Sequence, residues 1–138
     1  MAVDTEHFKV SEFACKHCGQ NHIDQRVINM AEEIRQKLGI PVRVNSGYRC
    51  EVHNKNVGGV CPKYDKNGKL ICRGSNHMYG LAADLSCSLS SAQILAAVKE
   101  LKTSGGLQDL DYCIQYGKKN FIHIDCGGKR NNLYEVRP

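Results

Sequence analysis

The sequence predicts a small α+β domain in which helices flank a central antiparallel sheet. Two long segments with helical periodicity are separated by short strand-like segments, and the last two strand-like segments follow each other directly. Strands joined by a tight turn pair in the antiparallel sense. The chain has 138 residues, enough for one core, and neither a linker nor an internal repeat divides it, so we expect a single domain over residues 1–138.

The first long helix is predicted from Ile23 to Leu38. Asp24 can cap its N-terminus, and Gly39 followed by Pro41 ends it. Its apolar residues recur at the spacing of one helix face, at Val27, Ile28, Ala31, Ile34 and Leu38.

The second long helix is predicted after Ser90, a residue that favours the N-cap position, and ends at Gly105-Gly106. Its apolar face comprises Ile94, Leu95, Val98 and Leu101. A short helix is predicted from Arg49 to Asn56, and the glycine pair Gly58-Gly59 ends it.

Strands are predicted at Val42–Val44, Leu81–Ser86, Leu110–Tyr116 and Phe121–Asp125. In addition, the turn signal Asp65-Lys66-Asn67-Gly68 predicts a hairpin inserted at about residues 60–73. This insertion either shapes a neighbouring site or is a neutral surface feature.

Composition and charge exclude several classes of function. The net charge is +5, from 19 basic and 14 acidic residues without a dense basic tract, so we expect no nucleic-acid partner, whereas an anionic polymer such as a bacterial wall fits. No apolar run approaches the roughly eighteen residues of a membrane span, so we expect no membrane insertion. The charged N-terminus lacks the apolar core of a signal peptide. We expect a monomer.

Three residues with metal-binding side chains stand out in the second half of the chain. His77 precedes a predicted strand, Asp84 lies within it, and His123 lies in the last predicted strand. Two imidazoles and one carboxylate suit zinc and leave a fourth position for water, which is typical of a catalytic site. Gly80 would let the backbone bend between the first two residues. A histidine in a strand is also common as an ordinary core or surface residue, so the spacing alone leaves both interpretations open.

Three segments, in order, carry a resemblance to a known family. SGYRCEVHNKNVGG (46–59), SNHMYGLAADL (75–85) and FIHIDCG (121–127) resemble the motifs of the zinc D-alanyl-D-alanine carboxypeptidases and related cell-wall peptidases, and so does FKVSEFAC followed by a helix. The resemblance covers nearly the whole chain. It implies a zinc-dependent peptidase that cleaves peptidoglycan stem peptides, of carboxypeptidase or endopeptidase type, with a hedgehog/DD-peptidase-like fold.

The resemblance also implies roles for individual residues. The implied zinc ligands are His77, Asp84 and His123. Arg49 matches an arginine near the substrate, where a guanidinium can clamp a carboxylate or polarise the scissile carbonyl; a structural salt bridge is the alternative. Ser75 matches a hydrogen-bonding loop residue near the substrate. His53-Asn54 matches a pair that supports the site without binding the metal.

The general base is the weakest part of the match. Better-known members of the family carry a carboxylate three residues before the last histidine, where this chain has Asn120, which cannot take a proton. Asp125 lies two residues after His123 and therefore on the same face of a strand, which makes it the first candidate. Its alternative role is to orient a metal ligand, and Asp111 is the reserve candidate.

Eight cysteines are numerous for a chain of this length, and without a signal peptide we expect thiols or metal ligands rather than a full set of disulfides. Cys15-Lys16-His17-Cys18, with His22 beyond it, has the spacing of a structural zinc site, for which Cys50 is a candidate ligand. Reduced thiols or disulfides are the alternatives there. The candidate disulfide pairs elsewhere are Cys61 with Cys72 and Cys113 with Cys126.

Two alternatives to an enzyme stay open. Asn120 permits a zinc-binding recognition module that has lost catalysis; the hedgehog signalling domain resembles this family in its metal site. A structural protein, such as a phage tail part that only holds the wall, is the other. The N-terminus suggests cytoplasmic synthesis, either of a phage lysin or tail-associated enzyme that acts on the cell wall or of a cytoplasmic enzyme that recycles wall peptides.

Overall fold

The computed structural model describes residues 1–138, which form a five-stranded sheet, a separate two-stranded hairpin and three α-helices. The helices are α1 (Gln25–Leu38), α2 (Glu51–Asn56) and α3 (Ser91–Thr103). The strands are β1 (Arg43–Ser46), β2 (Lys63–Tyr64), β3 (Leu70–Cys72), β4 (Ala82–Ser86), β5 (Tyr112–Tyr116), β6 (Phe121–Asp125) and β7 (Tyr134–Arg137). The predicted α+β class and order of elements are confirmed, with β7 as an additional strand.

The strand order in the main sheet is β1-β4-β6-β5-β7. Every neighbouring pair is antiparallel except β5 and β7, which run parallel. In the centre of the sheet, Asp84 on β4 stands opposite His123 on β6. The two central strands therefore carry two of the predicted metal ligands side by side.

The ends of the long helices follow the predicted capping chemistry. The Asp24 carboxylate accepts a hydrogen bond of 2.9 Å from the Arg26 N–H at the start of α1, and Gly39 ends that helix in the left-handed conformation. Ser90 and Gln93 form a reciprocal capping box at the start of α3. These local interactions satisfy backbone groups that would otherwise lack partners.

The two faces of the sheet have different roles. Helices α1 and α3 pack against each other and against one face, where they enclose the apolar core. Side chains alternate along a strand. On β6, Ile122 and Ile124 are therefore buried in the core while His123 and Asp125 lie on the opposite face. The site residues occupy the face that the long helices leave uncovered.

The inserted hairpin forms as predicted, but neither of the two candidate disulfides does. The Asp65 carboxylate accepts hydrogen bonds from the N–H groups of Asn67 and Lys69, which closes the turn. Cys72 pairs with Lys63 across the hairpin rather than with Cys61, and all eight cysteines are free thiols. The Cys61–Cys72 and Cys113–Cys126 bridges are therefore wrong: in the second case, Cys113 faces Ile124 across the strands. None of the helices is both long and apolar enough to cross a membrane.

A buried carboxylate on α1 makes the stability of the fold pH-dependent. Glu32 accepts hydrogen bonds from the backbone N–H of His7 (2.7 Å) and from Gln36 (3.1 Å), and its carboxylate lies 2.6 Å from the His7 ring. Burial alone would raise the pKa of Glu32, but these hydrogen bonds outweigh it and lower the pKa to about 2. Because the folded pKa lies below the unfolded one, the ionised carboxylate stabilises the folded protein.

We expect Glu32→Gln to reduce the free energy of unfolding by about 2 kcal/mol at neutral pH, since charge-assisted hydrogen bonds to a buried group are lost. The difference between the two proteins should shrink as the pH falls from 4.5 towards about 2, the interval between the unfolded and folded pKa values. Urea denaturation at a series of pH values measures it. A difference in the free energy of unfolding that stays constant over this range would contradict the lowered pKa of Glu32.

Candidate metal centre

The structure brings the three predicted metal ligands together. Asp84 Oδ1 lies 3.1 Å from His123 Nδ1 and 3.3 Å from His77 Nε2. One donor atom from each residue lies within 4.8 Å of the other two. His77 and Asp84 are buried, and His123 is partly buried. Three donors in this arrangement could hold one metal ion.

The outer nitrogens of both imidazoles are already engaged. His77 Nδ1 lies 2.8 Å from the carbonyl oxygen of Gly47, which can only accept, so Nδ1 carries the hydrogen. His123 Nε2 lies 2.7 Å from Asp125 Oδ2, and the carboxylate fixes the hydrogen there. Both rings therefore direct their second nitrogen, Nε2 of His77 and Nδ1 of His123, towards Asp84. Outer N–H groups that are oriented in this way are typical of histidines that bind zinc.

The electrostatics of the centre favour a neutral His77, an ionised Asp84 and a cation at His123. Burial lowers the pKa of His77 and thus favours the neutral imidazole. Burial would raise the pKa of Asp84, but the neighbouring His77 and His123 outweigh it and hold that pKa well below its usual range. For His123, burial lowers the pKa, while hydrogen bonds to Asp125 and Asp84 raise it to about 9. The negative field at His123 Nδ1 thus attracts a proton or a metal ion.

A tight turn delivers His77 to the centre. His77 lies in a short 3₁₀ helix, Asn76–Tyr79, and its N–H donates to the Ser75 hydroxyl at 3.2 Å. Gly80 ends the turn with a φ of 70°, as the sequence predicted. A Cβ at this glycine would lie 1.8 Å from the carbonyl oxygen of His22. Only glycine allows this close approach between the turn and the N-terminal segment.

Arg49 contacts the carboxylate of the metal-ligand candidate Asp84. Its Nη2 donates to Asp84 Oδ2 at 3.0 Å, its Nε to the Ser46 hydroxyl at 2.9 Å and its Nη1 to Asn54 Oδ1 at 3.3 Å. Asn54 is fully buried. A guanidinium has five N–H donors, so two remain for another partner. Arg49 lines the open groove described next, where those donors can meet a ligand.

A groove of about 820 Å³ runs over the uncovered face of the sheet and includes the three metal-ligand candidates. Its cationic lining residues are Arg49, Arg73, Lys118, Lys119, Lys129, Arg130 and Arg137. Asp84 and Asp125 are the only carboxylate side chains in its lining. The groove is therefore strongly positive around a small acidic floor and suits an anionic ligand. Only the ends of the inserted hairpin border it, through residues such as Val60 and Arg73.

The residues considered as a general base occupy three different environments. Asp125 is fully buried at the groove floor, on the same face of β6 as His123. The Asp111 carboxylate accepts a hydrogen bond of 3.0 Å from the Gly128 N–H and does not line the groove. Asn120 has a φ of 55° in the turn between β5 and β6, and its Oδ1 accepts a hydrogen bond from the Ser91 N–H.

Sequence reasoning missed one wall of the groove. Tyr112, Tyr116 and Arg137 line it, and Arg130 stacks over the Tyr112 ring at 4.4 Å. These residues depend on β7 and its parallel pairing with β5. The alternation of Tyr134-Glu135-Val136-Arg137 was the available signal for that strand.

A second group of candidate ligands lies outside the groove. The Sγ atoms of Cys15, Cys18 and Cys50 lie within 4.8 Å of one another, as the spacing predicted. Burial raises the pKa of the Cys15 thiol, but N–H groups of Cys50, Cys18 and His17 outweigh it and lower the pKa to about 6. The His22 ring instead packs edge-on against Tyr48, with the ring centroids 4.8 Å apart.

Gly80→Ala tests how closely the His77 turn is constrained, and Gly39→Ala is its matched control. Both glycines have a φ of 70°, but a Cβ at Gly39 meets nothing within 4 Å. We expect the control to lose about 1–2 kcal/mol, the cost of a left-handed alanine. Gly80→Ala should lose about 1–3 kcal/mol more because the clash with His22 adds to that cost. Denaturant unfolding measures the free energy of unfolding of both variants. Equal losses would contradict the prediction, because they would show that the backbone at His22 accommodates the added Cβ without strain.

Comparison with known proteins agrees with this geometry. A search of curated proteins found no match. A family model described as Peptidase M15 matches residues 6–125, which include Arg49 and the three clustered donors. Because the match spans most of the chain, the resemblance seen in the motifs is confirmed. The chain belongs to the peptidase M15 family, the zinc D-alanyl-D-alanine carboxypeptidase family of metallopeptidases.

Proposed function

We propose that the chain hydrolyses peptide bonds in peptidoglycan stem peptides, with zinc held by His77, Asp84 and His123. The observation that carries the proposal is the pair of imidazoles whose inner nitrogens converge on one carboxylate oxygen beneath an open groove, while their outer nitrogens are engaged elsewhere. Three protein ligands leave a tetrahedral ion one position for water, as in catalytic zinc sites. Family membership supports the same class of reaction.

The donor set fits zinc, and the remaining residues prepare the substrate. When bound, zinc supplies a Lewis acid and lowers the pKa of a water ligand, which provides the nucleophile. Arg49 is held by Asp84, Ser46 and Asn54, and its two remaining N–H donors can bind the scissile carbonyl oxygen or a substrate carboxylate. Ser75 lies at the groove wall, where its main role is to cap the turn that carries His77.

The groove charge supports an anionic peptide as the substrate. Stem peptides of peptidoglycan carry free carboxylates along their length and at their ends. Cationic residues surround the candidate zinc site on several sides, and the two carboxylates at its floor face inward to the proposed ligands. A peptide laid across the sheet would therefore find cationic partners in the groove lining. Both a terminal D-alanine and a crosslink are compatible with a groove of this kind.

Asp125 is proposed to orient His123 rather than to act as the general base. Its Oδ2 holds the His123 Nε2 hydrogen at 2.7 Å, and its Oδ1 accepts from the Gly127 N–H at 3.4 Å. A carboxylate committed to the outer nitrogen of a metal ligand fixes the tautomer and the ring orientation. Of the two roles that the sequence left open for Asp125, the hydrogen bonding favours this one.

This role for Asp125 favours a recognition module as the second candidate function. Asp84 contacts Arg49 and the two imidazoles, and Asp125 contacts His123, so no carboxylate side chain in the groove lining is unengaged. Asn120 points to the start of α3 rather than into the groove. A protein that binds zinc and a wall peptide without cleaving it would need no further group. A wall-binding structural part of a phage would use the same surface.

Digestion of purified peptidoglycan and of a free stem pentapeptide separates these functions. Products are read by mass spectrometry, with and without a chelator and after zinc is restored. A carboxypeptidase should remove one D-alanine, and an endopeptidase should open crosslinks. In either case, the chelator should abolish the reaction and added zinc should restore it. If neither substrate changes while the protein retains zinc and sediments with insoluble peptidoglycan, the recognition module replaces the peptidase.

Two substitutions of one residue test the role of Asp125. We expect Asp125→Ala to weaken zinc binding by about 10–100-fold because the His123 ring loses its orienting partner. Asp125→Asn keeps an acceptor oxygen for His123 Nε2 and should retain most of the zinc affinity and most of the activity at saturating zinc. Zinc titration and turnover are measured on both variants. An Asn variant that holds zinc fully but does not turn over would identify Asp125 as the base.

A further inference from the structure

A cluster of three cysteines joins two segments that are distant in the sequence. Cys15 and Cys18 belong to the N-terminal segment before α1, and Cys50 directly precedes α2. Their Sγ atoms lie within 4.8 Å of one another, none of the three forms a disulfide, and none lines the groove. Disulfide pairing would always leave one of three thiols unused. A single soft metal ion can use all three.

The backbone around the cluster is folded to present the sulfurs. In the turn Cys15–Gln20, the Cys15 N–H donates to the Gln20 carbonyl at 2.8 Å and the Gly19 N–H donates to the Cys15 carbonyl at 2.9 Å. The Cys50 N–H donates to Cys15 Sγ, and the His53 N–H donates to Cys50 Sγ, both at 3.4 Å. N–H donors of this kind stabilise the thiolate form, which is the form that binds metals.

We propose that Cys15, Cys18 and Cys50 hold a second, structural zinc ion outside the groove. His53 follows Cys50 by three residues and thus lies on the same side of the short helix. Its ring stacks on that of His17, with the ring centroids 6.3 Å apart. His53 is the fourth ligand that we propose for a Cys₃His set, a common composition of structural zinc sites, and its ring would turn towards the sulfurs, because its nitrogens lie outside the 4.8 Å group. The proposal does not rest on the catalytic function.

The ion would anchor the segment that supports the groove site. Next to Cys50, the Arg49 N–H donates to the His77 carbonyl at 3.0 Å, and the Tyr48 N–H donates to the Phe13 carbonyl at 2.8 Å. Gly47 lies so close to Phe13 that a Cβ atom added at Gly47 would lie 2.5 Å from the Phe13 carbonyl oxygen. A metal bound by Cys15, Cys18 and Cys50 would link the N-terminal segment to the segment that carries Gly47, Tyr48 and Arg49. Arg49 and the Gly47 carbonyl would then be fixed relative to the groove.

The metal content of the full-length protein tests the site. We expect two zinc equivalents in the wild type and one in Cys18→Ser, whose thiol is exposed and whose replacement disturbs no core packing. His77→Ala should also hold one equivalent. Cys61→Ser, at a cysteine outside the cluster, is the matched control and should hold two. Exchange of zinc for cobalt(II) gives a second readout, the thiolate charge-transfer absorption. This absorption should persist in His77→Ala and be weakened or lost in Cys18→Ser. In His53→Ala, the visible spectrum of the bound cobalt should change.

Amide exchange adds a measurement of the anchoring role. In Cys18→Ser, the N–H groups of Tyr48 and Arg49 should exchange faster than in the wild type, while those of the central strands should not. Circular dichroism confirms that the variant folds. Cobalt-loaded wild type without thiolate charge transfer would overturn the proposal even if no variant folded, and so would native mass spectrometry that shows a disulfide within the cluster. Neither result would affect the zinc proposed at His77.

Discussion

The pairing of β4 with β6 is the constraint on which the rest of the structure depends. It places Asp84 opposite His123 in the centre of the sheet. Because side chains alternate, the same register directs Leu85 and Ile122 into the core. A shift of one residue on either strand would move a metal-ligand candidate into the apolar core and an apolar residue into the groove. The apolar core therefore fixes the geometry of the polar site.

The cost of burying Asp84 explains the connections around it. A buried carboxylate without partners would cost several kcal/mol. Here one oxygen lies near both imidazoles and the other accepts from Arg49. Arg49 therefore balances the charge of the site as well as facing the groove. Its own backbone is tied to His77, so the ligand turn and the arginine segment support each other.

The sequence predicted those parts of the molecule that local chemistry determines. Asp24, Gly39 and Ser90 mark the observed helix ends because capping depends on residues close in the chain. The three metal-ligand candidates were found because the residue types are rare and the motif order is specific. The strand β7 was missed because its parallel partner β5 lies about twenty residues away and no turn joins them. The Cys61–Cys72 bridge failed for a similar reason, since flanking positions in a sequence do not define the register of a hairpin.

At Asn120, the backbone conformation of a turn favours asparagine over the carboxylate residue that proton transfer would need. The turn between β5 and β6 needs a left-handed residue at this position, and asparagine adopts that conformation more readily than a glutamate would. Its side chain then accepts a hydrogen bond at the start of α3. The position that carries a carboxylate in better-known relatives is thus used here to connect the sheet to a helix. Neither carboxylate side chain in the groove lining is free to replace that carboxylate, because Asp84 already serves Arg49 and both imidazoles and Asp125 holds His123.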